Sequence, residues 1–192
     1  MPLIKPESSI QNRRGDWIQT SSGIQFWPLD PCVQEVNVED IAHSLALLCR
    51  FNGHCRRFYS VAEHCVHVAS LLPPSLQRIA LLHDASEAYI ADIPMPIKGS
   101  LIGYKEIEHR LMQVIGERFG FLWPMPKEVK EADSILLATE KLALMGAQPA
   151  PWHPLPPPLD KKIIKGWPPK KAEKKFLDTF YKLGTTTLKC GR

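Results

Sequence analysis

Residues 79–85 read Ile-Ala-Leu-Leu-His-Asp-Ala, an apolar run that places an imidazole and a carboxylate side by side. The helical period of the surrounding apolar residues predicts a helix over about residues 75–90. A carboxylate that is buried without a partner is energetically expensive. Coordination to a metal ion removes that cost, and imidazole with carboxylate suits a divalent transition metal. His83 and Asp84 are therefore the first candidate metal ligands.

Two further predicted helices supply side chains that complete such a site. Ser60 and Glu63 have the S-x-x-E spacing of a capping box, which predicts a helix start at this point with His64 in its first turns. A later helix, over about residues 127–145, carries Asp133 in an apolar sequence. Since packed antiparallel helices bring side chains to one point, we expect His64 and Asp133 to lie beside the His-Asp pair.

The helical periods of the whole chain predict an all-α fold. The five main predicted helices cover about residues 38–50, 61–72, 75–90, 101–119 and 127–145. A last helix near residues 170–183 carries Phe176 and Phe180 on one stripe. No repeat is present, and no stretch shows a convincing alternation of apolar and polar residues that is typical of a strand.

Two segments lack a helical period. Residues 1–37 contain turn-forming residues and predict a loop with a short hairpin. Residues 149–169 hold eight prolines, which excludes a helix or a central strand and predicts an extended segment. We therefore divide the chain into a main domain with an N-terminal extension, residues 1–148, and a proline-rich segment with a basic C-terminal helix, residues 149–192, packed on the same domain.

Composition and charge set limits on the class of protein. No apolar run is long enough for a membrane span, and the N-terminus lacks the apolar stretch of a secretory signal, so we expect a cytoplasmic protein with no membrane partner. The five cysteines include no C-x-x-C pair and predict reduced, mostly buried thiols. Residues 161–192 carry ten basic and two acidic residues; we interpret them as a solvated lysine-rich face and do not expect nucleic acid as a partner.

Four short runs follow one another in a specific order. They are residues 59–64 (YSVAEH), 82–87 (LHDASE), 92–98 (DIPMPIK) and 131–133 (EAD). In this order they resemble the HD-domain phosphohydrolases, and among these most closely the 5′-deoxynucleotidases and the small deoxynucleoside triphosphate triphosphohydrolases. The resemblance covers roughly residues 38–145 and implies an HD-domain helical bundle.

The resemblance also implies roles for individual residues. His64, His83, Asp84 and Asp133 would hold one divalent metal ion. Ligand type alone admits Mn, Co, Fe, Ni, Zn or Mg. Such an ion polarises a phosphoryl group and lowers the pKa of a water bound to it.

Two more carboxylates resemble the catalytic residues of these enzymes. Glu87 lies four residues after His83, which places it on the same face of the predicted helix, and it resembles the general acid/base. Asp92, at the predicted helix exit, resembles a carboxylate that orients the attacking water or Glu87.

The candidate substrate-binding residues are Arg57, Arg56, Lys98, His54, Trp17 and Gln25. The cationic ones suit a phosphate, and an arginine offers it a fork of donors; we favour Arg57 over Arg56. The Trp17 ring would stack on the base of a nucleotide, and the Gln25 amide would read the edge of that base.

Three other residues near the motifs receive structural interpretations. We take Glu63 as the acid of the capping box, and we leave His67 out of the ligand set because four ligands are already present. Glu140 lies seven residues after Asp133, on the same helical face, and we expect it to pair with an arginine or lysine.

The motifs predict an enzyme but leave its substrate open. The first hypothesis is hydrolysis of a (deoxy)nucleotide phosphate ester, with 5′-deoxynucleotidase-type release of phosphate from a dNMP. The alternative is a dNTP triphosphohydrolase, with dATP as one candidate substrate. A second alternative is a non-catalytic module that senses a nucleotide or binds nucleic acid. We expect a small-molecule nucleotide as the substrate and a homo-oligomer as the assembly.

Overall fold

The computed structural model describes residues 13–184, and these residues are mostly helical. Their strands and helices are β1 (Ile18–Gln19), β2 (Gln25–Phe26), α1 (Val38–Leu47), α2 (Val61–Ser70), α3 (Pro74–Leu81), α4 (Glu87–Ile90), α5 (Met95–Lys98), α6 (Tyr104–Phe119), α7 (Lys127–Leu144) and α8 (Pro169–Lys182). The all-α class is confirmed. Among the described helices, none combines the length and the apolarity that crossing a bilayer requires. Cys190 and the end of the predicted basic tail lie outside the described residues.

The core forms where the apolar faces of six helices meet, and α6 contributes Leu111 and Ile115 to it. Helix α2 packs against α1, α3, α7 and α8, and α8 also packs along α1. Among the fully buried side chains, Leu45 comes from α1, Leu136 from α7 and Phe176 from α8. Because α2 lies at the centre of this packing, its Glu63 and His64 side chains have no access to bulk water and must find partners inside the protein.

Helix α2 begins where the sequence predicts, but its cap differs from a capping box. The Ser60 hydroxyl accepts a hydrogen bond from the Glu63 backbone N–H at 3.1 Å, as an N-cap does. The Glu63 carboxylate accepts instead from the backbone N–H groups of Lys165, Gly166 and Trp167. The prediction of Glu63 as a reciprocal capping acid was therefore wrong, because three N–H donors from a distant segment reach its carboxylate.

Residues 149–168 form a strap that contains neither helix nor strand, as their prolines predict. In addition to the Glu63 contacts, the Leu159 N–H donates to the Thr139 hydroxyl at 3.0 Å. The Arg57 guanidinium donates to the Ile164 carbonyl at 3.2 Å. These contacts attach the strap to α2, to α7 and to the loop before α2, and the strap leads into α8.

The predicted helix over residues 75–90 is interrupted in the structure. Helix α3 ends at Leu81, residues 82–86 form a tighter turn, and α4 begins at Glu87. The Nδ1 atom of His83 donates to the Ala80 carbonyl at 2.7 Å, and that carbonyl is the acceptor that the Asp84 N–H needs for the helix to continue. The prediction that His83 and Glu87 share one helical face was consequently wrong.

Two smaller elements complete the fold. Strands β1 and β2 form the predicted hairpin, and the Asp40 carboxylate of α1 holds its turn through Ser21 and Ser22. Helix α5 lies between the predicted helices over residues 75–90 and 101–119, where the sequence predicts no helix. Pro94 is its N-cap and Pro96 lies in its first turn, where a helix tolerates proline because the first turn needs no backbone donors.

Candidate metal centre

Four side chains from three parts of the fold converge on one point. They belong to His64 on α2, His83 and Asp84 in the turn after α3, and Asp133 on α7. The His64 Nε2 atom lies 3.3 Å from His83 Nε2, 3.1 Å from Asp133 Oδ1 and 3.6 Å from Asp84 Oδ2. The His83 Nε2 atom lies 3.2 Å from Asp84 Oδ2 and 3.9 Å from Asp133 Oδ1.

Three of these five separations, 3.1, 3.2 and 3.3 Å, match the edges of a coordination polyhedron. Bonds of about 2.1 Å from a divalent ion to nitrogen or oxygen place neighbouring donor atoms roughly 3.0–3.5 Å apart. His64, His83 and Asp133 form a group that can hold a metal ion, and Asp84 lies at its edge. The structure thus brings together all four residues that the sequence proposes as ligands.

Hydrogen bonds on the far side of each imidazole set its tautomer. The His83 Nδ1 faces the Ala80 carbonyl, which only accepts, so this nitrogen carries a proton. The His64 Nδ1 donates to Glu140 Oε1 at 2.6 Å. In the neutral rings both Nε2 atoms therefore present lone pairs, and these face each other at 3.3 Å. Two opposed lone pairs at this distance repel unless a cation lies between or beside them.

The same arrangement binds a proton strongly. Burial and the charge of Arg50 oppose protonation of His64, but Glu140 and Asp133 outweigh them and raise the pKa of His64 to about 9. The pKa of Asp133 lies below its usual range despite burial, because of the hydrogen bond and charge of His64. A metal ion and a proton therefore compete for the His64 Nε2 atom.

The cluster is closed on its histidine side and open on its carboxylate side. The side chains of His64 and His83 are 0% and 1% exposed, whereas those of Asp84 and Asp133 are 20% and 37% exposed. A bound ion would thus be reached from solvent past the two carboxylates.

Comparison with known proteins finds two relatives, and both are named as uncharacterized proteins. No protein-family model matches the chain. The uncharacterized protein YfdR of Escherichia coli (strain K12) is 44% identical over 125 residues, which are 65% of this chain and 70% of that protein. The chain belongs to the YfdR family. An uncharacterized protein of Rhodobacter capsulatus, RCAP_rcc00048, is 36% identical over 126 residues, which are 60% of this chain and 64% of that protein.

In this YfdR-family chain, Arg50 is the cation nearest to the ligands, and sequence reasoning missed it. Its Nε donates to Glu140 Oε2 at 3.1 Å, and its Nη1 lies 3.6 Å from Asp84 Oδ2. Although burial opposes it, the charges of Glu140 and Asp84 keep the pKa of Arg50 above its ordinary value. The predicted pairing of Glu140 with an arginine or lysine is confirmed. The one available signal was the position of Arg50 at the end of the first predicted helix, a few residues before Arg56 and Arg57.

The two predicted catalytic carboxylates, Glu87 and Asp92, lie close enough to the cluster for the charge of Asp84 to act on both of them. Glu87 is buried, and its Oε2 has no hydrogen-bond partner among the described residues. Burial, then the charges of Asp84 and Asp92, raise the pKa of Glu87 well above its ordinary value. Burial and Asp84 likewise raise the pKa of Asp92, against the opposing charge of Arg50. Burial and the two neighbouring carboxylates therefore favour the protonated form of Glu87.

The predicted substrate-binding residues fall into two groups. Lys98 lies near the site: its charge acts on Glu87, while its Nζ pairs with Glu108 Oε1 at 2.7 Å. The Arg57 guanidinium donates a hydrogen bond to the Ile164 carbonyl of the strap. Among the described residues, no hydrogen bond or ion pair joins the four candidate ligands to Arg56, Arg57, His54, Trp17 or Gln25.

The candidate substrate-binding residues without a contact to the ligands lie in other parts of the structure. Arg56 and His54 are exposed, and Arg56 lines a surface cavity of about 420 Å³ with Lys141 and Trp152. Trp17 is 46% exposed beside the hairpin, and Gln25 pairs in β2.

A second group of possible ligands combines Cys65, His83 and Asp84. Cys65 is fully buried, and burial followed by the charges of Asp84 and Glu87 raises the pKa of its thiol well above the ordinary value. Since only the thiolate is a good ligand, we assign the cation to the histidine and aspartate cluster. Cys65 packs in the core beside that cluster.

Proposed function

We propose that the protein is a metal-dependent phosphohydrolase of the HD type, which hydrolyses a deoxynucleotide phosphate ester and releases phosphate from a dNMP. One observation carries the proposal: two buried imidazoles direct their Nε2 atoms at each other at 3.3 Å, beside the carboxylates of Asp84 and Asp133. Two imidazoles with two carboxylates fit a divalent transition metal or Mg²⁺. The order of the motifs supports the HD type.

The chain's own residues prepare the site for an ion. Glu140 and the Ala80 carbonyl orient the imidazoles of His64 and His83, so that their free nitrogens meet the two carboxylates. When bound, a divalent cation supplies Lewis acidity toward a phosphoryl oxygen. The exposed side of Asp84 and Asp133 is the side from which a substrate approaches.

Arg50 is the residue that we assign to the substrate phosphate. Its guanidinium lies beside Asp84 at the open side of the cluster, and its side chain is 12% exposed. A guanidinium offers several N–H groups in a planar fork, and two carboxylates do not use all of them. Lys98 adds a second positive charge near Glu87. This assignment replaces Arg57, whose guanidinium binds the strap.

Glu87 is suited to donate a proton. Hydrolysis of a phosphate ester needs a proton on the leaving oxygen of the nucleoside, and a buried carboxylic acid with a raised pKa is suited to donate it. Asp92 lies close enough to act on the pKa of Glu87, so that the two carboxylates share one proton more readily than they both ionise.

A metal-by-nucleotide activity matrix tests the proposal. The purified protein is stripped with a chelator, dialysed, and reconstituted singly with Mn²⁺, Co²⁺, Ni²⁺, Zn²⁺, Fe²⁺ or Mg²⁺. Each form is assayed with dNMPs, NMPs and dNTPs, and the products are separated by ion-exchange chromatography. We expect metal-dependent release of phosphate from at least one dNMP.

Two substitutions serve as the variant and its matched control. Asp84→Asn should lower turnover by a factor of about 100 or more, since it removes a ligand at the open side. Asp178→Asn, which removes an exposed carboxylate paired with Lys174 on α8, should leave turnover unchanged. Activity in the stripped protein and in Asp84→Asn that equals the activity of the metal-loaded wild type would refute a metal-dependent hydrolase. Release of triphosphate from a dNTP would favour the triphosphohydrolase, and tight binding without turnover would favour a sensor.

A further inference from the structure

Cys49 and Cys55 form a pair of thiols that the metal cluster does not use. Their Sγ atoms lie 3.6 Å apart, and both residues are half-buried, so small oxidants can reach them. A disulfide bond requires about 2.05 Å between the sulfurs. Small rotations about the side-chain bonds of two facing cysteines close a gap of this size.

The loop between the two cysteines is held at both ends. The Arg50 N–H donates to the Tyr59 carbonyl at 2.9 Å, and the Arg56 N–H donates to the Leu144 carbonyl at 2.8 Å. Between them, Phe51 and Asn52 adopt left-handed backbone conformations with φ of 56° and 51°. A non-glycine residue keeps such a conformation only where its surroundings determine it. The anchored ends therefore keep the two thiols opposite each other.

Arginines lie close to this pair in the sequence, and one of them, Arg50, is itself paired with Glu140. Residues 49–62 contain three arginines and no acidic residue. Nearby cations favour the thiolate, which is the attacking form in thiol oxidation. Burial and the contact with Cys49 act against this at Cys55 and raise the pKa of its thiol. Mildly alkaline pH is therefore the condition under which the pair reacts most readily.

We propose that Cys49 and Cys55 form a reversible intramolecular disulfide when the protein meets a hydroperoxide. One thiolate attacks a peroxide oxygen, so that an S–O bond forms while the O–O bond breaks and the departing hydroxide takes up a proton to become water. The other thiolate attacks the resulting sulfenic sulfur; the S–S bond forms, the S–O bond breaks, and a second water leaves. Two thiols lose two electrons, and hydrogen peroxide becomes two waters. This inference does not depend on the proposed function.

Peptide mapping of the oxidised full-length protein tests it. The protein is treated with equimolar hydrogen peroxide at pH 8.5, quenched with iodoacetamide and digested with trypsin, which cuts after Arg50 and Arg56 and so places the two cysteines in separate peptides. We expect a disulfide-linked pair of these peptides, which dithiothreitol separates. We also expect a rise of about 5 °C in the unfolding midpoint of the oxidised protein, since a cross-link restricts the unfolded chain.

Three variants check the assignment, because the tryptic peptide with Cys49 also contains Cys32. The linked peptides should persist in Cys32→Ser and disappear in Cys49→Ser and in Cys55→Ser. If the serine variants fail to fold, fragmentation of the wild-type linked peptide identifies the bonded cysteine. A bond to Cys32, dimers joined between chains, or oxidised but unlinked thiols would each overturn the proposal.

Discussion

Glu140 supports both the candidate metal centre and the stability of the fold, so its replacement should affect both. Its carboxylate is fully buried, accepts from His64 Nδ1 at 2.6 Å, and pairs with Arg50 Nε at 3.1 Å. Glu140→Gln keeps the size of the side chain and one accepting oxygen but removes the charge. The amide can satisfy either His64 or Arg50 as an acceptor, and its NH₂ group then faces the other donor.

The loss of stability in Glu140→Gln can be sized from the raised pKa of His64. The raised pKa of about 9, against an ordinary 6.5, corresponds to about 3 kcal/mol of favourable interaction with the protonated ring. Removing one partner of a buried ion pair costs about 3–5 kcal/mol. We therefore expect Glu140→Gln to lower the free energy of unfolding of the metal-free protein by about 3 kcal/mol, which is roughly 6–12 °C in the unfolding midpoint.

The pH dependence of that loss has a defined sign. The folded-state pKa of His64 is raised, so the stabilisation is fully present below the unfolded pKa of 6.5 and is lost as the pH rises through about 9. The difference in stability between wild type and Glu140→Gln should thus be largest at pH 6 and should shrink above pH 9. Metal affinity, measured by isothermal titration with Mn²⁺ or Zn²⁺, should fall by about 10–100-fold.

Glu128→Gln is the matched control, because Glu128 lies on the same helix and is exposed. It should change the unfolding midpoint by less than about 2 °C. An unfolding midpoint of Glu140→Gln that equals the control at pH 6, together with an unchanged NMR titration of His64, would refute the assignment of Glu140 as the partner of that ring.

Two further substitutions test the proton carrier and the strap. Glu87→Gln should abolish phosphate release, yet it should raise the unfolding midpoint of the metal-free protein at pH 7 and not at pH 4. The reason is that a buried carboxylate with a raised pKa destabilises the fold only above its unfolded pKa of 4.5. Scanning calorimetry at both pH values checks this, and a destabilised variant at pH 7 would contradict it. Glu63→Gln should lower the free energy of unfolding by about 2 kcal/mol, because the NH₂ group of glutamine cannot accept from the strap N–H groups. It should also speed tryptic cleavage after Lys165, and a cleavage rate equal to that of Glu128→Gln would show that Glu63 does not hold the strap.

Helix positions and the order of the candidate ligands could be predicted because they depend on local sequence. Ser60 caps α2 by a contact that spans three residues, and the period of apolar residues identifies α6 and α7 within a few residues of their ends. Glu140 could be paired with Asp133 on one face because helical geometry alone places them two turns apart.

Contacts between distant segments could not be predicted in this way. The role of Arg50 depends on the packing of α2 and α7, which brings Glu140 to a residue 90 positions away in the chain. Glu63 leaves its expected capping role because strap residues more than 100 positions later reach it. Cys49 and Cys55 meet only because their loop is anchored at both ends.

The sequence by itself determined the helical class, the start of α2 and the candidate ligands, since periodicity and capping act over a few residues. Only the tertiary structure decided that α3 ends before His83, that both imidazoles direct free nitrogens toward one point, and that Arg50 is the cation beside them. The physical reason is that side-chain hydrogen bonds and buried charges choose among partners that only packing brings within reach.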